Sequence, residues 1–116
     1  MPRIGQLKSI CLSNKSVFLI KKYLFYKKLC KIPSINRIIL FGSRARGDCA
    51  NKADIDLAID CKKATEEGWL EILEIFDNAD TLLKIDCIRL DTLPENSFLL
   101  HEINSEGIDL YEKNKT

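Results

Sequence analysis

Asp54-Ile55-Asp56-Leu57-Ala58-Ile59-Asp60 decides the fold class. Side chains of a strand point alternately to its two faces, so Ile55, Leu57 and Ile59 are expected on one face and the aspartates on the other. Upstream, Arg37-Ile38-Ile39-Leu40-Phe41 is a β-branched and aromatic run ending at Gly42, the pattern of a buried strand that meets a turn. The stretch between them, Ser43 to Ala53, is polar and irregular. Downstream, Leu83 to Leu90 reads as a third strand and Ile108 to Glu112 as a final one.

Helical patterns fill the gaps. Ser13 or Asn14 can cap a helix that carries Val17, Ile20, Tyr23 and Leu24 to about Cys30, where Pro33 stops it. Thr65 opens a second, with Glu66 and Glu67 near the positive end of its dipole and an apolar stripe of Trp69, Leu70, Leu73 and Phe76 running to about Asn78. A third follows Pro94 through about Asn104 and carries Phe98, Leu99 and Ile103. The order α-β-β-α-β-α-β is that of an α/β fold.

A chain of 116 residues is expected to form one domain over 1–116, with residues 1–12 as a loose lead-in. No internal repeat or proline-rich linker divides it. Its longest apolar candidate, Val17 to Ile20, runs straight into Lys21 and Lys22, so no membrane span is expected. No signal peptide is apparent at the start, which makes the cytoplasm the expected location. The five cysteines are widely spread with no C-x-x-C pair, which argues against a disulfide framework and a zinc knuckle and for incidental thiols.

Charge is lopsided although the net is only +1. Residues 1–47 hold eleven Lys and Arg and no acid, while the remainder holds seven bases and all seventeen acids. The basic half suits a polyphosphate and the acidic half a metal, unless the halves simply neutralise each other; a mixture of the two is expected. The small net charge argues against stable nucleic-acid binding.

Two features carry chemistry. At Gly42-Ser43, a glycine directly after a buried strand lets backbone approach a ligand, and Ser43 adds a hydroxyl donor. Amides of a helical turn over Arg44 to Gly47 would add to an anion site, with Arg44 or Arg46 supplying positive charge. A strand-Gly-Ser sequence is also an ordinary turn, and this one lacks the P-loop pattern. At Asp54 and Asp56, alternate strand residues project from one face roughly 7 Å apart, near enough for both carboxylates to converge on a hard cation such as Mg²⁺. An isolated D-x-D is more commonly a solvated strand face; its closeness to the Gly-Ser turn is what suggests a metal-nucleotide site. A third carboxylate would help activate an attacking hydroxyl, and Asp86 is the candidate, with Asp91, Asp60 and Asp48 as rivals.

Phe41-Gly42-Ser43-Arg44-Ala45-Arg46-Gly47-Asp48 followed by Ala53-Asp54-Ile55-Asp56-Leu57-Ala58-Ile59 resembles the minimal nucleotidyltransferases of the DNA polymerase beta-like superfamily, in their MntA-like antitoxin branch. The resemblance extends to Glu106-Gly107-Ile108-Asp109-Leu110-Tyr111-Glu112, which looks like the family's closing strand. It implies a mixed β-sheet flanked by helices, Mg²⁺ as one or two ions, and ATP or another NTP as substrate. Gly42 and Ser43 would then lie at the phosphates, and Asp54 and Asp56 would be catalytic metal ligands. Asp86 maps to the third acid. Arg44 and Arg46 match the family's basic loop, either as nucleotide contacts or as braces of that loop. Ala53 departs from the Ser that commonly precedes the first aspartate, removing a hydroxyl but no ligand. Small members often pair, as antitoxins, with a HEPN-domain ribonuclease toxin encoded nearby and transfer AMP to one of its tyrosines.

Two other functions share these motifs: a non-catalytic antitoxin or regulatory module that masks a partner, and nucleotidyl transfer to a small molecule or an RNA end. The rest of the chain asks for less. Trp69 reads as core, the Lys-rich first helix as a solvated face, and His101 as a helix-surface residue.

Overall fold

The computed structural model describes residues 14–48 and 50–114; the expected lead-in over residues 1–12 lies outside the described residues. Residues 14–22 are helical (α1), followed by α2 (Leu24–Leu29), β1 (Arg37–Phe41), α3 (Ser43–Arg46), β2 (Ile55–Asp60), α4 (Glu66–Asp77), β3 (Ile85–Arg89), a 3₁₀ turn (Leu90–Thr92), α5 (Phe98–Glu106) and β4 (Ile108–Glu112). The strands form one mixed sheet in the order β3-β2-β1-β4. β1 runs antiparallel to both β2 and β4, while β2 and β3 are parallel, joined by the α4 crossover.

The alternation in β2 sorts as expected, but both faces of the sheet are covered. Ile55, Leu57 and Ile59 join Ile38 and Leu40 beneath Phe25, Leu29 and Ile72 of α2 and α4, all nearly or fully buried. On the aspartate side, Ala58 is buried with Ile39, Phe41, Leu90 and Ile103, so α5 roofs the middle of that face. The aspartate face is therefore not a solvated strand face. Asp56 and Asp60 emerge at opposite ends of an apolar patch.

The first helix differs from expectation: it breaks at Tyr23, whose ψ of 147° is extended. The Asp80 carboxylate explains the break, since its two oxygens accept the Leu24 and Phe25 amides at 3.0 and 3.1 Å and so cap a fresh helix start. Those bonds hold the Asp80 carboxyl below its ordinary pKa, the Leu24 amide contributing most. The second expected helix begins as read, with Thr65 Oγ1 accepting the Gly68 amide at 3.0 Å, and Asn78 ends it. The third starts a few residues after Pro94, where Ser97 Oγ accepts the Leu100 amide at 3.3 Å.

Candidate active site

β1 ends at Phe41 and the chain turns at Gly42, where φ is +73°, a region open to glycine at little cost. A Cβ built on Gly42 would run into the Asp56 carboxylate oxygen Oδ2 and lie 3.2 Å from Cγ of the same side chain. The space a side chain would take at residue 42 is thus filled by the carboxylate of β2. Phe41 and Asp56 are register partners across the antiparallel pair, which puts the turn and the carboxylate side by side. α3 follows directly, with the Gly42 carbonyl accepting the Ala45 and Arg46 amides at 3.1 Å each. The amides of Ser43 and Arg44 come before any acceptor inside the helix, the donors that every helix start leaves over.

On its other side Asp56 is the register partner of Asp86 across the parallel pair. Neighbouring strands lie about 4.8 Å apart, so the two side chains share a face and meet. Burial raises the Asp56 carboxyl above its ordinary pKa, and the nearby Asp86 and Asp54 raise it further. Asp54 itself is exposed, just before β2, and Asp86 is half-exposed on the edge strand, with Lys84 Nζ 3.7 Å away. Among the described residues Asp56 forms no ion pair with a Lys or Arg, and no three His, Cys, Asp or Glu side chains are gathered as a complete metal cage. What is built is a crowded carboxylate pair with a third carboxylate nearby. This hard-oxygen donor set fits Mg²⁺, which takes one or two carboxylates and fills its remaining positions with water and substrate phosphate.

The two arginines of the turn are both engaged by groups of the chain. Arg44 is 4% exposed, and its guanidinium donates to the carbonyls of Ala53 (2.9 and 3.1 Å) and Asn51 (3.0 Å) and to Ser16 Oγ (3.2 Å). Of the two expectations for Arg44, bracing of the loop between β1 and β2 is the one its contacts fit. Arg46 donates to Asp48 Oδ2 at 3.1 Å and to Glu102 Oε1 and Glu106 Oε2 of α5 at 3.3 and 3.4 Å. Neutralisation between the basic and acidic halves is therefore real at Arg46, and again where Arg37 pairs with Asp60 at 3.2 Å and lies 4.0 Å from Asp109.

Glu102 was not among the expected site residues, yet it lies near enough for its charge to act on Asp56. No local signal marks it, because it reaches the site only through the packing of α5 on the sheet. The concave surface of about 260 Å³ between α2 and α4, lined by Leu24, Phe25, Glu71 and Asp80 among others, lies across the sheet from the carboxylates. Among the described residues the thiols are of the unreactive kind: Cys61 is buried, and burial raises Cys30 and pushes Cys87 up to about 12. His101 is exposed on α5.

A family model described as polymerase beta, nucleotidyltransferase matches residues 20–116. The chain belongs to the polymerase beta nucleotidyltransferase family. No curated protein matches the sequence. Among solved structures, a toxin-antitoxin crystallised with AMP-PNP is similar at 20% identity and a TM-score of 0.52, covering 88% of this chain and 74% of that one. A mutant of the MntA-HpeT toxin-antitoxin is similar at 21% identity and a TM-score of 0.55, covering 84% and 72%. At such identities the likeness establishes the fold, a mixed four-stranded sheet with flanking helices in the nucleotidyltransferase arrangement. Among the described residues no helix is long and apolar enough to cross a membrane.

Proposed function

We propose that this nucleotidyltransferase is Mg²⁺-dependent, takes ATP, and transfers AMP to a tyrosine hydroxyl of a HEPN-type toxin partner, acting as its antitoxin. The observation that carries the reading is the Asp56–Asp86 carboxylate pair set against the Gly42-Ser43 turn. The toxin-antitoxin solved with AMP-PNP supports both the choice of nucleotide and the kind of partner.

Each residue has a task in this scheme. The Ser43 hydroxyl and the leading amides of α3 donate to phosphate oxygens, fixing the triphosphate end of ATP at the rim of β1. Asp56 and Asp86, joined by Asp54, would hold the metal. Bound Mg²⁺ supplies positive charge at the phosphates and lowers the pKa of the acceptor hydroxyl. The acceptor oxygen bonds to the α-phosphorus as the bond from that phosphorus to the bridging oxygen breaks, and pyrophosphate leaves. Asp86, half-exposed on the edge strand, receives the hydroxyl proton.

The test is incubation with α-labelled ATP, Mg²⁺ and the protein encoded by the neighbouring reading frame. Label should appear on a partner tyrosine and disappear with Asp56→Asn. Label that persists with Asp56→Asn sinks the carboxylate assignment, and label on RNA or a small hydroxyl compound replaces the acceptor.

A further inference from the structure

Arg46 stands three residues after Ser43, at the end of the turn that Gly42 opens. Its guanidinium is shared among Asp48, Glu102 and Glu106, three acids to one base, at 3.1 to 3.4 Å. Glu102 and Glu106 are one turn apart on the flank of α5 that faces this turn, while Ile103 between them is buried in the core, so that helix cannot withdraw its acids. All four charged side chains are between 28% and 58% exposed, and ion pairs so exposed add little to stability. Their arrangement has a more direct electrostatic consequence. Through Arg46 both α5 acids are held against the turn that opens at Gly42 and Ser43, where the proposed function needs an anionic triphosphate to approach, and the charge of Glu102 also acts on Asp56.

We infer that Arg46 is a positioning residue that serves nucleotide binding through α5: its guanidinium neutralises Glu102 and Glu106 and ties the Gly42–Gly47 turn to that helix, instead of contacting phosphate itself. The inference rests on the nucleotide-binding reading of the site. Of the two expectations for Arg46, nucleotide contact or brace of the loop, it keeps the brace and adds a screen between two acids and the phosphates. A bidentate phosphate contact is weakened when the guanidinium fork is lost, whereas a screen needs mainly the charge.

The experiment is calorimetric titration of Mg²⁺ and AMP-PNP into the full chain, with thermal melting as the check on folding. Arg46→Gln uncovers the two acids and should weaken binding on the order of 10-fold at low salt, with a smaller deficit at high salt. Adding Glu102→Gln and Glu106→Gln to it should restore affinity to within about threefold of the parent, because the acids needing a screen are gone. Arg46→Lys should stay within about threefold of the parent. A triple variant as weak as Arg46→Gln, or an Arg46→Lys variant as weak, overturns the inference in favour of direct phosphate contact. Unchanged binding by Arg46→Gln also overturns it. If Arg46→Gln fails to fold, Arg46→Lys and the triple variant carry the test. A parent chain that binds no nucleotide refutes the proposed function instead.

Discussion

Asp56 and Asp60 leave the same face of the same strand, yet the fold treats them differently. Asp60 is the register partner of Arg37, accepts from its Nε at 3.2 Å and is 13% exposed. Asp56 has Phe41 beside it on one strand and Asp86 on the other, with Gly42 against its carboxylate. Between the two lies Ala58, sealed under α5. A carboxylate whose neighbours provide a cation is part of the scaffold. One whose neighbours provide two more carboxylates and a glycine has no Lys or Arg partner among the described residues, and under the proposed function a metal ion would supply the missing charge. Even the scaffold end is imperfect, since Asp60 Oδ1 is buried without a hydrogen-bond partner among the described residues.

The largest expected effect sharpens this contrast at its functional end. Asp56→Asn should lower nucleotidyl transfer by at least about 10²–10³-fold, the scale on which a group stabilising transition-state charge is missed, measured by label incorporation. Transfer within tenfold of the parent would break the comparison.

Next comes the glycine. Gly42→Ala must adopt a φ of +73° with a ψ of −155°, an essentially glycine-only region that costs an L-residue roughly 1–3 kcal/mol, and must displace the Asp56 carboxylate. Transfer should fall about 10²-fold, as expected when reacting groups shift by an ångström, with a lowered Tm in the same sample. A folded, fully active Gly42→Ala would show that the contact with Asp56 is not required.

Asp60→Ala should show the reverse pattern. Loss of its charged hydrogen bond to Arg37 should cost about 1–3 kcal/mol of stability in chemical denaturation, with transfer per folded molecule within about threefold of the parent. Strong loss of transfer without loss of stability would place Asp60 in the site.

The smallest effect concerns Asp56 without metal. Its folded-state pKa is raised above the unfolded value, so the stability it contributes is complete below the unfolded value and is lost as pH rises through the folded one. In a chelator, Asp56→Asn should therefore raise Tm at pH 7 by about 1–5 °C, the size expected from relieving like charges paired across strands. The gain should vanish below the ordinary carboxylate value of 3.8. A lowered Tm at pH 7 would mean that the ionised carboxylate is satisfied within the chain.

Much of the fold was legible because its signals are local. Arg37–Phe41 and Ile108–Glu112 match their expected strands, and Thr65 caps the helix it was expected to open. The break at Tyr23 was not legible, because its cause, Asp80, is more than fifty residues away in sequence. For the site, the alternation over 54–60 predicts that Asp54 and Asp56 share a face, although Asp54 falls just before β2, and only the strand order β3-β2-β1 brings Asp86 beside Asp56. The arginines were least legible. Their charge was plain, but whether they meet phosphate, carbonyl or carboxylate depends on loop packing for Arg44 and on the position of α5 for Arg46.

The most direct test of the central claim is to measure AMP-PNP binding by calorimetry, with Mg²⁺ and with chelator, for the parent chain, Asp56→Asn and Asp60→Ala. The account predicts Mg²⁺-dependent binding by the parent and by Asp60→Ala, and its loss in Asp56→Asn. Binding that ignores Mg²⁺, or that survives in Asp56→Asn while failing in Asp60→Ala, would contradict it.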